Sequence, residues 1–359
     1  MLTGIRELHQ FLVGATPGDA ITDSALLLRS WLRGLGYDSH IYAESIHESL
    51  ASEIRPYLGY SPRSPAATVL LHHSIGADLV DYLLEAGVRF ILIYHNVTPV
   101  TFFEHVDPRL AHQVKRGRKQ LDALRAKTLL ALGDSQYNEL ELVSVGYENT
   151  GVLPIVFDES RYAYESDPEL QKKYESGGPN LLFVGRIAPN KCQDDLVKLM
   201  YYVRRVCPRA RLFLVGSRWM PAYADWLEEL AADVGVNDAV VITGHVTQRA
   251  LATYYRLADV YVSMSEHEGF GKPFIEAMYF GVPIVAYAAA AVPETLGQAG
   301  LLLSVKRYEE LAELIGILEV RRDLRDRLIR SGRRRVKAFQ PSVVRSRLLS
   351  YLRRLDLGD

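Results

Sequence analysis

Short apolar runs, each followed by a segment of helical periodicity, recur along this chain, and the series starts again near residue 180. A strand that is apolar on both faces and is followed by a helix before the next strand has few ways to bury itself. The alternation predicts an open parallel sheet with helices on both sides. In the first half, strand-like runs occupy 8–14, 38–43, 69–73, 90–95 and 128–132. Helical periods fall over 24–35 and 79–85, the first closed by Gly36. The stretch 159–178 is polar, carries Gly177-Gly178-Pro179 at its end and predicts a linker. Beyond it, strands are expected at 180–184, 211–216, 240–244, 260–264 and 281–286, with helices over 194–206, 226–234 and 274–278.

A chain of 359 residues favours two cores over one. The fold class expected is therefore α/β: two doubly wound Rossmann-like domains facing a central cleft. The first spans 1–157 and takes back a C-terminal helix at about 342–359; the second spans 158–341. In such sheets ligands sit beyond the carboxyl ends of the strands. Here those ends carry Gly18, His73, His95, Arg186 and Glu268.

Composition narrows the function classes. A formal net charge of −1 gives no global nucleic-acid signature. Cys192 and Cys207 match no metal or redox spacing, which predicts reduced structural thiols. The start of the sequence lacks a signal pattern, and no apolar run reaches the roughly 18 residues that span a bilayer. A cytoplasmic protein is the expectation.

The densest chemistry lies in Ser265-Glu266-His267-Glu268-Gly269-Phe270-Gly271-Lys272-Pro273-Phe274-Ile275-Glu276-Ala277-Met278. A strand leads into a glycine loop and then a helix start, with Pro273 suited to the first turn. A helix N-terminus offers unpaired N–H groups and a positive dipole end to an anion. Carboxylates such as Glu268 and Glu276 accept hydrogen bonds from vicinal diols. A ligand with both phosphates and diols, a nucleotide sugar, suits that combination. Arg186 and Lys191, after the strand at 180–184, add a forked guanidinium and a point-charge ammonium suited to a diphosphate.

Taken together and in order, Val184-Gly185-Arg186 through Lys191, Leu214-Val215-Gly216, Thr243-Gly244, the double-glutamate segment, Pro293-Glu294 and Ala299-Gly300 resemble the retaining glycosyltransferases of family four, of GT-B architecture and bacterial polysaccharide-assembly type. Tyr94-His95-Asn96-Val97-Thr98-Pro99 resembles assembly members in the looser first half. The resemblance makes the first domain the acceptor side and the second the donor side. It implies donor contacts from Gly18, Arg186, Lys191, Gly269, Phe270, Gly271 and Glu276, the last on the ribose. It places Glu268 and His73 near the donor sugar and counts His95, at the end of the next strand, with them as catalytic, on either the donor or the acceptor side. Strand alternation turns only one of His72 and His73 to each face, and the sequence leaves open which one faces the donor. Three positions depart from the family pattern: Cys192 follows Lys191 where glycine is usual, Arg218 replaces a second glycine, and residues 288–291 are all alanine.

The resemblance implies transfer of a hexose, mannose-type by the flavour of residues 94–99, with retention, from a GDP- or UDP-linked donor to a glycan or lipid-linked glycan in cell-surface polysaccharide or lipopolysaccharide synthesis. No cofactor and no metal are expected, since no Asp-x-Asp ends a strand. The basic stretch 112–127 holds Lys115, Arg116, Arg118, Lys119, Arg125 and Lys127 against Asp122, which suits peripheral contact with an anionic membrane. A second, arginine-rich stretch spans 321–354 and reads as a solvated helix face. Rival readings are a catalytically silent glycan-assembly subunit and a sugar-nucleotide epimerase on the same architecture. A Rossmann oxidoreductase is disfavoured because no G-x-G-x-x-G follows the first strand.

Overall fold

The computed structural model of the chain describes residues 6–64, 67–355 and 357. The chain divides into two compact units, Met1–Val156 with Pro341–Asp359, and Phe157–Gln340.

In the first unit the strands are β1 (Gln10–Ala15), β2 (Ile41–Ile46), β3 (Ile54–Pro56), β4 (Thr68–His73), β5 (Arg89–Tyr94), β6 (Thr128–Gly133) and β7 (Thr150–Val152). They form one sheet in the order β3-β2-β1-β4-β5-β6-β7, and every neighbouring pair is parallel. The helices are α1 (Ala20–Gly34), α2 (Asp78–Glu85), α3 (Pro108–Leu124) and α4 (Gln136–Ser144). Helix α1 begins four residues before the periodicity predicts, because Asp19 caps it by accepting from the Ile21 and Thr22 N–H groups. The second strand lies three residues later than expected, at Ile41–Ile46 rather than 38–43.

The second unit contains β8 (Asn180–Val184), β9 (Arg211–Val215), β10 (Val240–Gly244), β11 (Val260–Ser263), β12 (Ile284–Tyr287) and β13 (Leu301–Leu303). Its sheet order is β10-β9-β8-β11-β12-β13, again wholly parallel. The helices are α5 (Pro168–Tyr174), α6 (Gln193–Val206), α7 (Pro221–Asp233), α8 (Gln248–Leu257), α9 (Lys272–Phe280), α10 (Val292–Leu296), α11 (Tyr308–Val320) and α12 (Arg322–Arg335). The core joins Leu181, Phe183, Leu212, Leu214, Val260 and Val262 of the sheet to Leu196, Met200 and Val203 of α6 and Ile315 of α11.

The last helix, α13 (Pro341–Arg354), packs Val344, Leu348 and Leu352 into the core of the first unit beside Leu28, Leu70 and Ile91. The expected α/β class with two parallel, doubly wound sheets is the one observed. The expected linker is not a free one. Residues Glu159–Tyr162 form a 3-10 turn and α5 follows, with Tyr162 and Tyr174 buried. Two tyrosines were enough to anchor a segment whose composition is otherwise polar. Among the described residues no helix is long and apolar enough to cross a membrane.

Both strand orders reverse direction once, between β1 and β4 and between β8 and β11. At such a switch point the crossovers leave to opposite faces and open a crevice at the strand ends.

Candidate active site

At the switch point of the second unit, the loops that follow β8 and β11 lie side by side. The Glu266 N–H donates to the Asn190 carbonyl at 3.0 Å, and Asn190 Nδ2 donates to the His267 carbonyl at 3.3 Å. Two further bonds pin the glycine loop from its other side. The Ala291 N–H donates to the Glu268 carbonyl at 3.1 Å, and Thr295 Oγ1 donates to the Phe270 carbonyl at 2.6 Å. Gly271, at φ +86°, is the residue before α9, and a Cβ there would stand 2.5 Å from the Phe274 ring. Only glycine fits that corner. Gly216 is equally constrained: at φ +150°, its Cβ would meet the Gly185 carbonyl oxygen at 2.1 Å.

These loops gather the charged residues the sequence singles out. Lys191 Nζ pairs with Glu268 Oε2 at 2.7 Å, both side chains mostly buried. Arg186 is exposed and lays its guanidinium over the Trp219 ring at 4.7 Å. No ion pair to Arg186 occurs among the described residues. One cation is thus balanced by a carboxylate, and the other rests on an aromatic face.

Glu276 sits in the second turn of α9 and is almost fully buried, at 4 % exposure. Its Oε2 accepts from the Tyr255 hydroxyl at 2.6 Å, its Oε1 accepts from the Tyr162 hydroxyl, and Lys272 Nζ stands 3.9 Å away. Burial, then the neighbouring Glu276 charge, hold the Tyr255 hydroxyl well above its ordinary range, so it remains a donor. The expected ribose-binding carboxylate is therefore clamped by two tyrosines that sequence reasoning did not find. Tyr255 lies on α8, a helix absent from the sequence reading, and Tyr162 lies in the supposed linker. The available signal was the aromatic pair Tyr254-Tyr255 at helical spacing from Leu251.

The three departures from the family pattern have local accounts. Cys192 sits in the left-handed region at φ 50°, where glycine is easier, and burial pushes its thiol up to about 12. Ala290 is likewise at φ 50°. Arg218 is tied to Asp225 and Glu228 at 2.6 Å each.

The remaining expected residues belong to the first unit. Gly18, at φ +80°, turns the chain from β1 into the Asp19 cap of α1. His73 is completely buried and its Nε2 faces the Gly117 carbonyl of α3 at 2.9 Å. The ring is thus packed against that helix. Burial lowers it to about 4, so it is neutral. His72 and His95 share the other face, their rings stacked at 5.2 Å, with His95 Nδ1 2.9 Å from Asp134 Oδ1.

Among the described residues two groups of side chains have metal-ligand spacing, Glu7 with His9 and Asp38, and Cys192 with Asp195 and Glu266. Their ligand atoms are already engaged. Lys306 Nζ bonds both Asp195 and Glu266, Arg63 pairs with Glu7, and His9 Nδ1 accepts from the His40 N–H. In the basic stretch 112–127, on α3 and the turn after it, four of six cations serve the fold: Arg116 pairs with Asp78 and Asp81, Arg118 with Glu141, while Arg125 and Lys127 donate to the Val145 and Leu84 carbonyls. Lys115 and Lys119 face solvent.

Residues 166–335, nearly all of the second unit, match the family described as glycosyl transferases group 1. The fold is GT-B. It is shared over 99 % of this chain with sucrose-phosphate synthase from Thermosynechococcus elongatus, at a TM-score of 0.77, 19 % identity and 100 % of that chain. It is shared over 97 % with Anabaena Alr3699/HepE, a structure in complex with UDP and glucose, at a TM-score of 0.75, 16 % identity and 99 % of that chain. In sequence, the chain is 32 % identical over 216 residues to the GDP-mannose-dependent alpha-(1-6)-phosphatidylinositol monomannoside mannosyltransferase of Mycobacterium tuberculosis. That alignment covers 56 % of this chain and 55 % of the relative. The chain spans about half the length of the curated relatives it matches.

Proposed function

We propose that this chain is a retaining hexosyltransferase that uses a nucleoside diphosphate sugar. The observation that carries the reading is the switch-point assembly of the second unit. Within it, Arg186 without an acidic partner, Lys191 on Glu268 and the buried Glu276 all come from two adjacent loops and the helix that follows. The match of the same segment to group 1 glycosyl transferases supports it.

In this reading Arg186 and Lys191 take the diphosphate, which requires Lys191 to exchange part of its bond with Glu268 for phosphate oxygen. The C1–O bond to the β-phosphate breaks and its electron pair passes to the phosphate. The two cations and the amide groups around Gly271 stabilise that developing charge. The acceptor hydroxyl attacks C1 from the same face, and its proton ends on the leaving phosphate. Glu268 orients the hexose hydroxyls and Glu276 the ribose. Stabilisation by fixed cations leaves no obligatory step for a divalent ion, so activity should persist in chelator.

The donor favoured is GDP-linked and mannose-type, because the relative at 32 % identity bears that donor in its name. A glycan or lipid-linked glycan acceptor on the first unit, and a cytoplasmic protein that touches an anionic membrane through Lys115 and Lys119, belong to the same reading. Liposome flotation with and without anionic lipid checks the membrane contact. Incubating the chain with GDP-mannose or UDP-glucose and a panel of glycan acceptors, with NMR of the product, checks the reaction. An axial-type linkage from an α-linked donor is expected. An inverted product would overturn retention, and donor binding without turnover would favour a silent assembly subunit.

A further inference from the structure

The first unit contains a buried chain of four polar side chains contributed by adjacent strands and the loops that follow them. Gln10 of β1 meets His72 of β4, His72 meets His95 after β5, and His95 meets Asp134 after β6. The contacts are Gln10 Oε1 to His72 Nε2 at 3.1 Å, His72 Nδ1 to His95 Nε2 at 2.9 Å, and His95 Nδ1 to Asp134 at 2.9–3.0 Å. All four side chains are buried, with His95 and Asp134 at 4 % and 2 % exposure.

The direction of each bond follows from one fixed end. Gln10 Nε2 donates to the Ala25 carbonyl of α1 at 3.0 Å, so its amide oxygen must face His72. That oxygen only accepts, so His72 Nε2 carries a proton. A neutral His72 then has a bare Nδ1, which must accept from a protonated His95 Nε2. The remaining nitrogen, His95 Nδ1, faces a carboxyl group. Either it carries a proton beside a carboxylate, or it is bare and the carboxyl is protonated. If His72 carried both protons instead, His95 would donate from Nδ1 to the carboxylate. In every arrangement that leaves no bond without a hydrogen, the chain holds one proton more than two neutral imidazoles and one carboxylate would hold.

We propose that Gln10, His72 and Asp134 are positioning residues that hold His95 in a charge-balanced network with one extra proton. Both ring nitrogens of His95 are then committed inside the protein, so the ring offers no free base. The proton count rests on these hydrogen bonds and not on the function proposed above. Other titratable groups near the network are His73 on the opposite sheet face and Arg118 of α3, which is tied to Glu141. Burial keeps His72 well below its ordinary range and raises Asp134, which favours placing the extra proton on the His95–Asp134 pair.

Net charge tests the proposal without any assay of activity. Folded wild type, D134N and Q10L are compared by capillary electrophoresis at about pH 7.5, above the ordinary histidine range. In D134N the amide can donate to a bare His95 Nδ1, the extra proton leaves with the carboxylate, and mobility should equal that of wild type. In Q10L, His72 is free to place its single proton on Nδ1 and donate to His95, so this neutral-for-neutral change should make the chain more negative by one unit. Asp122→Asn, at an exposed position, calibrates one unit of charge. A full unit of positive charge gained by D134N, or an unchanged mobility of Q10L, would overturn the proposal. Q10L alone decides the matter if D134N fails to fold.

Discussion

Glu276 shows what single residues contribute here. A buried carboxylate is costly unless donors surround it, and here two tyrosine hydroxyls do so. Tyr255→Phe removes one donor and leaves an oxygen of that carboxylate unsatisfied. Urea unfolding should show a loss of about 1–3 kcal/mol. Donor affinity should fall as well, since the carboxylate loses its fixed orientation. Backbone strain gives a second prediction at this scale. Gly271→Ala forces an L-residue into φ +86° and drives a Cβ into the Phe274 ring. It should cost about 2 kcal/mol or more, the left-handed penalty of about 1–2 plus the clash. Ala290→Gly works the other way, relieving φ 50° at a loop position, and should stabilise by up to about 1 kcal/mol in the same measurement. Charged and glycine positions of the second unit were legible in the sequence because their chemistry is written in residue type and spacing. The tyrosine clamp was not, because its partners come from segments 21 and 114 residues away.

At the scale of elements, strands were the legible part. Runs such as Val69–Leu71 and Leu181–Val184 are apolar on both faces because helices cover both sides of a parallel sheet. Helix α8 carried a helical period too, in Leu251, Tyr254 and Tyr255, but its buried face is built on tyrosines, and the segment 159–178 read as a linker for the same reason: tyrosine counts as half polar. Helix α13 illustrates a long-range dependence. It follows the second unit in sequence yet buries Leu348 in the first. Leu348→Ala should therefore cost about 2–5 kcal/mol, read in the unfolding of the first unit. Deuterium exchange of β6 and β7 should rise in that variant, because Tyr351 of the same helix bonds the Val152 N–H at 3.0 Å.

For the whole molecule, pH dependence follows from the buried histidines. His73 stays neutral in the fold down to about 4, whereas an unfolded histidine protonates near 6.5. Between those values the unfolded state binds more protons at this histidine, so its contribution to stability is full above about pH 6.5 and is lost as pH falls towards about 4. The decline from His73 alone should approach roughly 1.4 kcal/mol per pH unit. A His73→Gln variant should lose one proton's worth of that slope in urea titrations run from about pH 7 to about pH 4.5. The central claim also belongs to this scale: a chain of two doubly wound units whose second switch point holds a nucleoside diphosphate sugar. Isothermal titration of the intact chain with GDP- and UDP-sugars tests it most directly. At least one should bind, and Arg186→Ala and Lys191→Ala should each weaken it by about tenfold or more, which is about 1.4 kcal/mol. No binding by any of these donors at about millimolar concentration, or binding indifferent to both substitutions, would contradict it.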